Sequence, residues 1–197
     1  MRIKRLLPLI LAAAMLLAAC SGTVQSAPES DGNRKQLLSV EETQALSERY
    51  VDLAELLGFT PFEDVSQLPQ DRILTYAFSH PEEEAGYFDA ETAYLQVSEK
   101  EIQRRVEKYF AIADFAPHAG SSFYDFEKKL YSIQAGKLNG DILLKPLTAF
   151  RQGDTLLLTV AVYPDVGEQP DHISEYTMAR QGDGYAFVSM RHLPMDG

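Results

Sequence analysis

The sequence predicts an α+β domain in which helices pack on one face of a curved antiparallel sheet that ends in a C-terminal β-meander. Two observations carry this prediction. Amphipathic helical patterns with N-terminal capping signals occupy the first half of the chain. Four β-type runs, separated by Gly, Asp and Pro residues, occupy residues 142–193. Helices first and an antiparallel meander last are typical of the α+β class.

The first helix is predicted to begin at a capping box, Ser39-Val40-Glu41-Glu42, in which the Ser oxygen and the Glu carboxylate satisfy free amide groups reciprocally. Apolar residues then follow at helical spacing: Leu46, Tyr50, Leu53, Ala54 and Leu57. Gly58 can end the helix in the left-handed conformation. The apolar stripe of this helix needs a partner surface, which we expect to be the sheet.

Two further helices are predicted in the same half. Leu68-Pro69 opens a short helix whose apolar face consists of Ile73, Leu74, Ala77 and Phe78. The acidic loop His80-Pro81-Glu82-Glu83-Glu84 ends it. After a short strand at residues 93–97, a second capping box at Ser98-Glu99-Lys100-Glu101 opens a helix with Ile102, Val106, Tyr109 and Phe110 on one face.

The spacing of residues 123–133 fits two structures. Phe123, Phe126, Leu130 and Ile133 would form one face of a helix. Residues 124–126 and 130–133 around a charged turn would instead form a hairpin. The aromatic residues suit a half-buried pleated surface, which favours the hairpin.

Four strands are predicted at residues 142–151, 155–163, 172–180 and 185–193. Both alternating sets of the second strand are largely apolar, so we expect it to be central and covered on both faces. Pro146 lacks an amide donor, which places its strand at an edge or a bulge. A three-residue loop at 182–184 fixes the register of the last hairpin. The predicted pairs are Gln181 with Tyr185, Arg180 with Ala186, Met178 with Val188, Thr177 with Ser189, Tyr176 with Met190, Glu175 with Arg191 and Ser174 with His192.

The 197-residue chain is acidic, with a net charge of −11. Removal of residues 1–19 takes away Arg2, Lys4 and Arg5 but no acid, which changes the net charge to −14. Such a surface repels nucleic acid and anionic lipid head groups, and it leaves cations and basic peptides as charged partners. Cys20 is the single cysteine. The domain must therefore be stabilised by its own core, which this length permits.

The amino terminus carries the most specific motif. Arg2, Lys4 and Arg5 precede an apolar run over residues 6–18 that is too short for a stable membrane span, and Leu17-Ala18-Ala19-Cys20 ends it. This layout resembles the lipobox-type signal peptide of bacterial lipoproteins. The resemblance implies cleavage before Cys20, lipidation of Cys20 by fatty acids such as palmitate, and a location on the extracytoplasmic face of the cell membrane.

The predicted organisation is a signal peptide over 1–19, the lipidated cysteine with a flexible tether over 20–36, and one α+β domain over 37–197. The order of elements resembles the cystatin-like and nuclear-transport-factor-like folds. It also resembles uncharacterised small lipoproteins of Gram-positive gut-type bacteria, in which a helix end like Lys108-Tyr109-Phe110 precedes a segment like Tyr124-Asp125. That resemblance implies no catalytic residue.

The sequence contains no His-Glu-x-x-His, Gly-x-Ser-x-Gly or Cys-x-x-Cys motif and no phosphate-binding Gly-rich loop. No pair of carboxylates stands out on one apolar face. We therefore expect a non-enzymatic binding or interaction module at the cell surface, with a small ligand or a protein as its partner. The alternative hypothesis is a small hydrolase- or isomerase-like enzyme with an acid–base pair in the concave face of the sheet, and its candidates are His192, Asp125 and Glu175.

Metal and ligand sites are only partly indicated. Of the four histidines, His80, His118, His172 and His192, the last two lie on strands that should pair and could share a metal ion. Two ligands are too few, so no metal or cofactor is predicted. Two acidic groups are calcium candidates, although charge runs in loops are usually solvated: Glu82, Glu83, Glu84, Asp89 and Glu91, and separately Asp165, Glu168 and Asp171. Most Tyr and Phe residues are expected to build the core, and the concave face of the sheet is the expected place for a ligand pocket.

Overall fold

In the part of the chain that the structure describes, three helices precede the long strands, as the sequence pattern predicts. The computed structural model describes residues 34–84, 86–116, 123–134, 142–163 and 169–195. Helix α1 covers residues 40–56 and consists of Val40–Leu46, a π-helical turn at Ser47–Val51, and Asp52–Leu56. A 3-10 turn at Val65–Gln67 precedes α2 (Gln70–Ser79), and α3 is Glu99–Phe110.

The helix starts show why these segments are helical. At Ser39 the capping box is complete, because the Glu42 carboxylate accepts from the Ser39 amide at 3.0 Å and the Ser39 hydroxyl accepts from the Glu42 amide at 3.1 Å. At Ser98 only half of the predicted box forms. The Ser98 hydroxyl accepts from the Glu101 amide, but the Glu101 carboxylate accepts from Arg104 and Arg105. Charge-assisted bonds to arginine are the stronger ones, which explains the difference.

The strands form two antiparallel sheets. The large sheet has the order β1–β6–β7–β8–β9, and the small sheet has the order β2–β3–β5–β4. The strands of the large sheet are β1 (Gln36–Leu37), β6 (Leu143–Gln152), β7 (Thr155–Tyr163), β8 (His172–Gln181) and β9 (Gly184–Leu193). Those of the small sheet are β2 (Tyr87–Asp89), β3 (Tyr94–Ser98), β4 (Tyr124–Asp125) and β5 (Leu130–Gln134). The α+β class, the C-terminal meander and the hairpin reading of residues 123–133 are confirmed.

Three details of the large sheet differ from or refine the prediction. The folded domain begins one residue earlier than predicted, because Gln36, the last residue of the predicted tether, pairs with Arg151. Strand β7 is central, but only its Leu156 and Leu158 face is fully buried; on the opposite face Thr159 and other side chains are half-exposed, so coverage of both faces was wrong. Of the two alternatives for Pro146, an edge or a bulge, the structure has the bulge: the register shifts between Pro146 and Thr148, where the missing amide donor interrupts the ladder.

An aromatic cluster joins the helices to the sheet. Phe59, Tyr76, Phe110 and Phe187 come from a loop, α2, α3 and β9, and each ring contacts the other three at centroid distances of 5.3–6.3 Å. Aromatic pairs of this kind add stabilisation beyond their buried area. Not all predicted core aromatics are inside. Four are exposed, mostly on the small sheet: Tyr87, Phe88, Tyr94 and Phe126.

The predicted register of the terminal hairpin is wrong near its turn. Gln181 pairs with Gly184, not Tyr185, so the loop has two residues, and Gly182 takes a positive φ of +59° at its first position. Arg180 then pairs with Tyr185 and Met178 with Phe187 in place of the predicted partners. A bulge absorbs the extra residue, Val188, and from Thr177 opposite Ser189 onward every predicted pair is confirmed, including Tyr176 with Met190, Glu175 with Arg191 and Ser174 with His192.

Candidate functional site

Two histidines meet at one end of the buried face of the large sheet. His172 on β8 and His192 on β9 have ring centroids 4.3 Å apart and planes inclined by 35°. Residues two apart on a strand share a face, so His172 lies on the same face as Ser174 and Tyr176. Both of these residues are fully buried. The proximity of His172 and His192 on one face, which the sequence predicts from the register, is confirmed.

Helix α1 adds a carboxylate that the sequence analysis missed. The Glu55 side chain is only 3% exposed, and its Oε2 lies 3.4 Å from Nε2 of His172. Its Oε1 accepts a 2.8 Å hydrogen bond from the Tyr176 hydroxyl. Burial, together with the Glu55 charge, raises the pKa of Tyr176 well above its ordinary value, so this hydroxyl stays a donor. Glu55 is therefore oriented from the sheet side by a neutral partner.

The site continues outward through Asp171. Its Oδ2 lies 3.0 Å from Nδ1 of His172, so the two imidazole nitrogens of His172 face one surface carboxylate and one buried carboxylate. Although His192 is exposed, partial desolvation and the neighbouring His172 lower its pKa, which favours the neutral form. The buried Ser174 hydroxyl lies directly across from His192 and has no hydrogen-bond partner within the part of the chain that the structure describes.

The predicted acid–base candidates do not come together. Glu175 lies on the opposite face of β8 and forms an ion pair with Arg191 at 2.6 Å. Asp125 belongs to the small sheet and accepts hydrogen bonds from the amides of Glu127 and Lys128 in its own turn. His192 contacts His172 instead. A buried carboxylate with polar partners does lie on the helix-covered face, but it is Glu55.

Only two members of the first acidic group, Glu82 and Glu83, form ion pairs among the described residues, and Glu84, Asp89 and Glu91 form none. Arg49 pairs with Glu82 at 2.7 Å and Lys108 with Glu83 at 2.8 Å, while Arg104 also binds Glu83. Asp89 accepts from the Glu91 amide, and Asp171 faces His172. Asp165, Glu168 and His118 lie outside the described residues. Within the described ranges, no group of three or more His, Cys, Asp or Glu side chains is ready-made for a metal ion.

His80 is a structural residue behind this network. It is 2% exposed, its Nε2 donates to the Arg49 carbonyl at 2.7 Å, and its ring stacks on Tyr109 at 4.1 Å. Burial lowers the pKa of His80 and keeps it neutral. In front lies a cleft of about 590 Å³ between the acidic loop, β3 and α3. Its basic side chains, Arg104, Arg105 and Lys108, are already paired with Glu83 and Glu101, so it presents little free charge.

Cys20 and the rest of the signal motif lie outside the described residues. The helices of the described part include none that is long and apolar enough to cross a membrane. In comparisons with known proteins, no family model, no curated protein and no solved structure matches this chain.

Proposed function

We propose that this chain is a lipid-anchored protein of the extracytoplasmic face of a bacterial membrane, whose folded domain binds a small ligand or a protein partner. The observation that carries the proposal is the motif Leu17-Ala18-Ala19-Cys20 after a basic start and a short apolar run. Two fatty-acid chains on a cysteine give stable anchoring, whereas one chain gives only marginal binding.

The position of the domain along the chain supports the proposal. Strand β1 begins at Gln36, only 16 residues after Cys20. A chain of that length reaches at most about 50–60 Å when fully extended. The domain would therefore work close to the bilayer. Its acidic surface favours cations and basic segments over lipid head groups as partners.

The positions of the titratable side chains favour binding over catalysis. Asp125, Glu175 and His192 lie on three separate surfaces and cannot act on one substrate. The observation that favours the alternative, a small hydrolase- or isomerase-like enzyme, is the contact of Glu55 with His172. An acid–base pair needs room for a substrate beside it. The 590 Å³ cleft lies elsewhere, beside α3, and neither Glu55 nor His172 lines it. We therefore prefer the binding function.

The anchor is tested by changing Cys20 to Ala in bacteria grown with labelled palmitate. We expect the wild-type chain to carry label and to sediment with membranes. The Cys20→Ala chain should lose the label and either accumulate with its first 19 residues uncleaved or enter the soluble fraction. Ser21→Ala is the matched control and should behave as the wild type. A Cys20→Ala chain that is cleaved, labelled and membrane-bound like the wild type would overturn the proposal.

A further inference from the structure

We propose that His172, His192 and Glu55 bind one divalent transition-metal ion at the end of the buried sheet face. This inference deepens the proposed binding function by naming a ligand class for the domain, and it does not depend on the anchor. Imidazole nitrogens and a carboxylate oxygen are a donor set that suits Zn²⁺, Cu²⁺ and Ni²⁺.

The spacing of two donors supports a bridging ion. Oε2 of Glu55 and Nε2 of His172 are 3.4 Å apart, which is long for a charge-assisted hydrogen bond. Donors at roughly 2.0–2.1 Å from a tetrahedral Zn²⁺ ion are themselves about 3.3–3.4 Å apart. The pair is thus already at the separation that a shared ion requires.

Both donors are oriented by outer partners. Asp171 lies 3.0 Å from Nδ1 of His172, which directs Nε2 toward Glu55. The Tyr176 hydroxyl holds Oε1 of Glu55 at 2.8 Å, which leaves Oε2 toward His172. A carboxylate behind a ligating histidine is the usual arrangement of outer-shell groups in zinc sites. Among the described residues, neither Glu55 nor Asp171 forms an ion pair with a Lys or Arg side chain that would compete for this position.

His192 would be the third ligand. Its ring is tilted by 35° against that of His172, with centroids 4.3 Å apart. The three side chains are not assembled as a ligand set in the described residues, so binding requires His192 to turn one ring nitrogen toward the shared ion. That movement is open to it because His192 is exposed. The unpartnered Ser174 hydroxyl directly opposite offers a hydrogen bond to a water that fills the fourth position.

The test is titration of the purified chain, in the form isolated from cells and kept in a non-ionic detergent, with ZnCl₂ by calorimetry and with Co²⁺ by visible absorption. We expect one ion per chain and a Co²⁺ spectrum of tetrahedral type. His172→Gln, His192→Gln and Glu55→Gln should each weaken binding by more than about 100-fold, and Asp171→Asn by about 10- to 100-fold. Glu175→Gln, on the opposite face of the same strand, should leave the affinity unchanged.

Two controls make the outcomes decisive. His192 and Asp171 are exposed, so their variants should fold, and circular dichroism checks this for all five. Cys20→Ala removes the thiol, and unchanged metal binding in that variant places the ion in the domain even if the anchor proposal fails. The inference is overturned if no Zn²⁺ binds, if binding depends on Cys20, or if it survives His172→Gln and Glu55→Gln.

Discussion

The Glu83 carboxylate is a buried charge with several donors around it. Its side chain is 4% exposed, and it accepts hydrogen bonds from Lys108, Tyr109 and Arg104. Burial alone raises the pKa of a carboxyl group, but these donors outweigh it and lower the pKa of Glu83 to about 2. The same donors link the acidic loop to α3, and Glu83 thereby adds to the contacts that His80 and Glu84 make with α1 and α3.

The pKa of Glu83 gives a prediction about acid stability. Its folded value lies below the ordinary value of 4.5, so its stabilising effect is complete above that pH and is lost as the pH falls toward 2. We expect Glu83→Gln to lower the free energy of unfolding at pH 7 by about 1–3 kcal/mol and to flatten its decline below pH 4.5. Denaturant melts from pH 7 to pH 2 measure both quantities.

Glu82→Gln serves as the control for that experiment. Glu82 is 38% exposed and its ion pair with Arg49 is a surface pair, which contributes little. We expect its cost to stay below about 1 kcal/mol and its acid slope to match the wild type. Equal slopes for Glu83→Gln and the wild type would show that Glu83 is not the group that titrates.

At the scale of elements, the packing of the β8–β9 hairpin against α1 includes a close contact between Gly184 and Tyr50. A Cβ at Gly184 would lie 2.6 Å from the hydroxyl of Tyr50, which accepts a hydrogen bond from the Tyr185 amide. Tyr50 in turn is anchored in α1, so this contact sets the distance between the helix and the hairpin. The close approach explains why the chain places Gly184 in the strand and leaves the turn to Gly182 and Asp183.

This contact predicts a rescue. Gly184→Ala should cost about 1–3 kcal/mol of unfolding free energy, because the Tyr50 ring must shift in a packed core. Tyr50→Phe removes the clashing hydroxyl, so the double variant should be more stable than the sum of the two single effects predicts. Gly182→Ala is the control: its Cβ meets no atom within 4 Å, so its cost comes from the positive φ alone and Tyr50→Phe should not relieve it. Simple additivity for Gly184→Ala with Tyr50→Phe would contradict the contact.

The elements that sequence reasoning predicted well are those with a local physical cause. Capping at Ser39, the apolar stripe of α3 and the bounds of β7 all depend on residues that are close together in the sequence. The turn at Gly182 was missed because two- and three-residue loops share the same Gly-Asp-Gly sequence. The two-residue loop places Gly184 in the strand, close against the hydroxyl of Tyr50. Because the bulge at Val188 adds one unpaired residue to β9, the pairs from Thr177 with Ser189 onward are the predicted ones.

The candidate site was half predictable for the same reason. Strand register brought His172 and His192 together from the sequence alone. Glu55 could not be assigned, because a Glu beside an apolar helix stripe ordinarily faces solvent. The π-helical turn at Ser47–Val51 widens α1 just before Glu55 and changes which residues face the sheet. The one local indication that Glu55 is buried was its position next to Ala54 and four residues after Val51, since both of these apolar residues are buried.

At the scale of the whole molecule, two electrostatic effects oppose each other. Ion pairs such as Lys108 with Glu83 attract, and they lie partly buried, where salt screens them weakly. The net charge of −11 produces repulsion among exposed acids across the surface. That repulsion acts over longer distances through solvent, where salt screens it strongly. Added salt should therefore remove more repulsion than attraction.

The folded chain should accordingly gain stability with salt. Raising NaCl from about 10 to 150 mM shortens the screening length from about 30 to 8 Å. We expect the thermal midpoint of the detergent-solubilised chain to rise by a few degrees, since about 1 kcal/mol corresponds to roughly 2–4 °C at this size. Glu63 and Glu91 are exposed and form no ion pair among the described residues, so Glu63→Lys with Glu91→Lys reduces the net negative charge without breaking the network. The double variant should be more stable than the wild type at 10 mM NaCl and should gain less from salt. A midpoint that falls as salt is added would mean that the ion pairs, not the surface repulsion, dominate the electrostatic free energy of this fold.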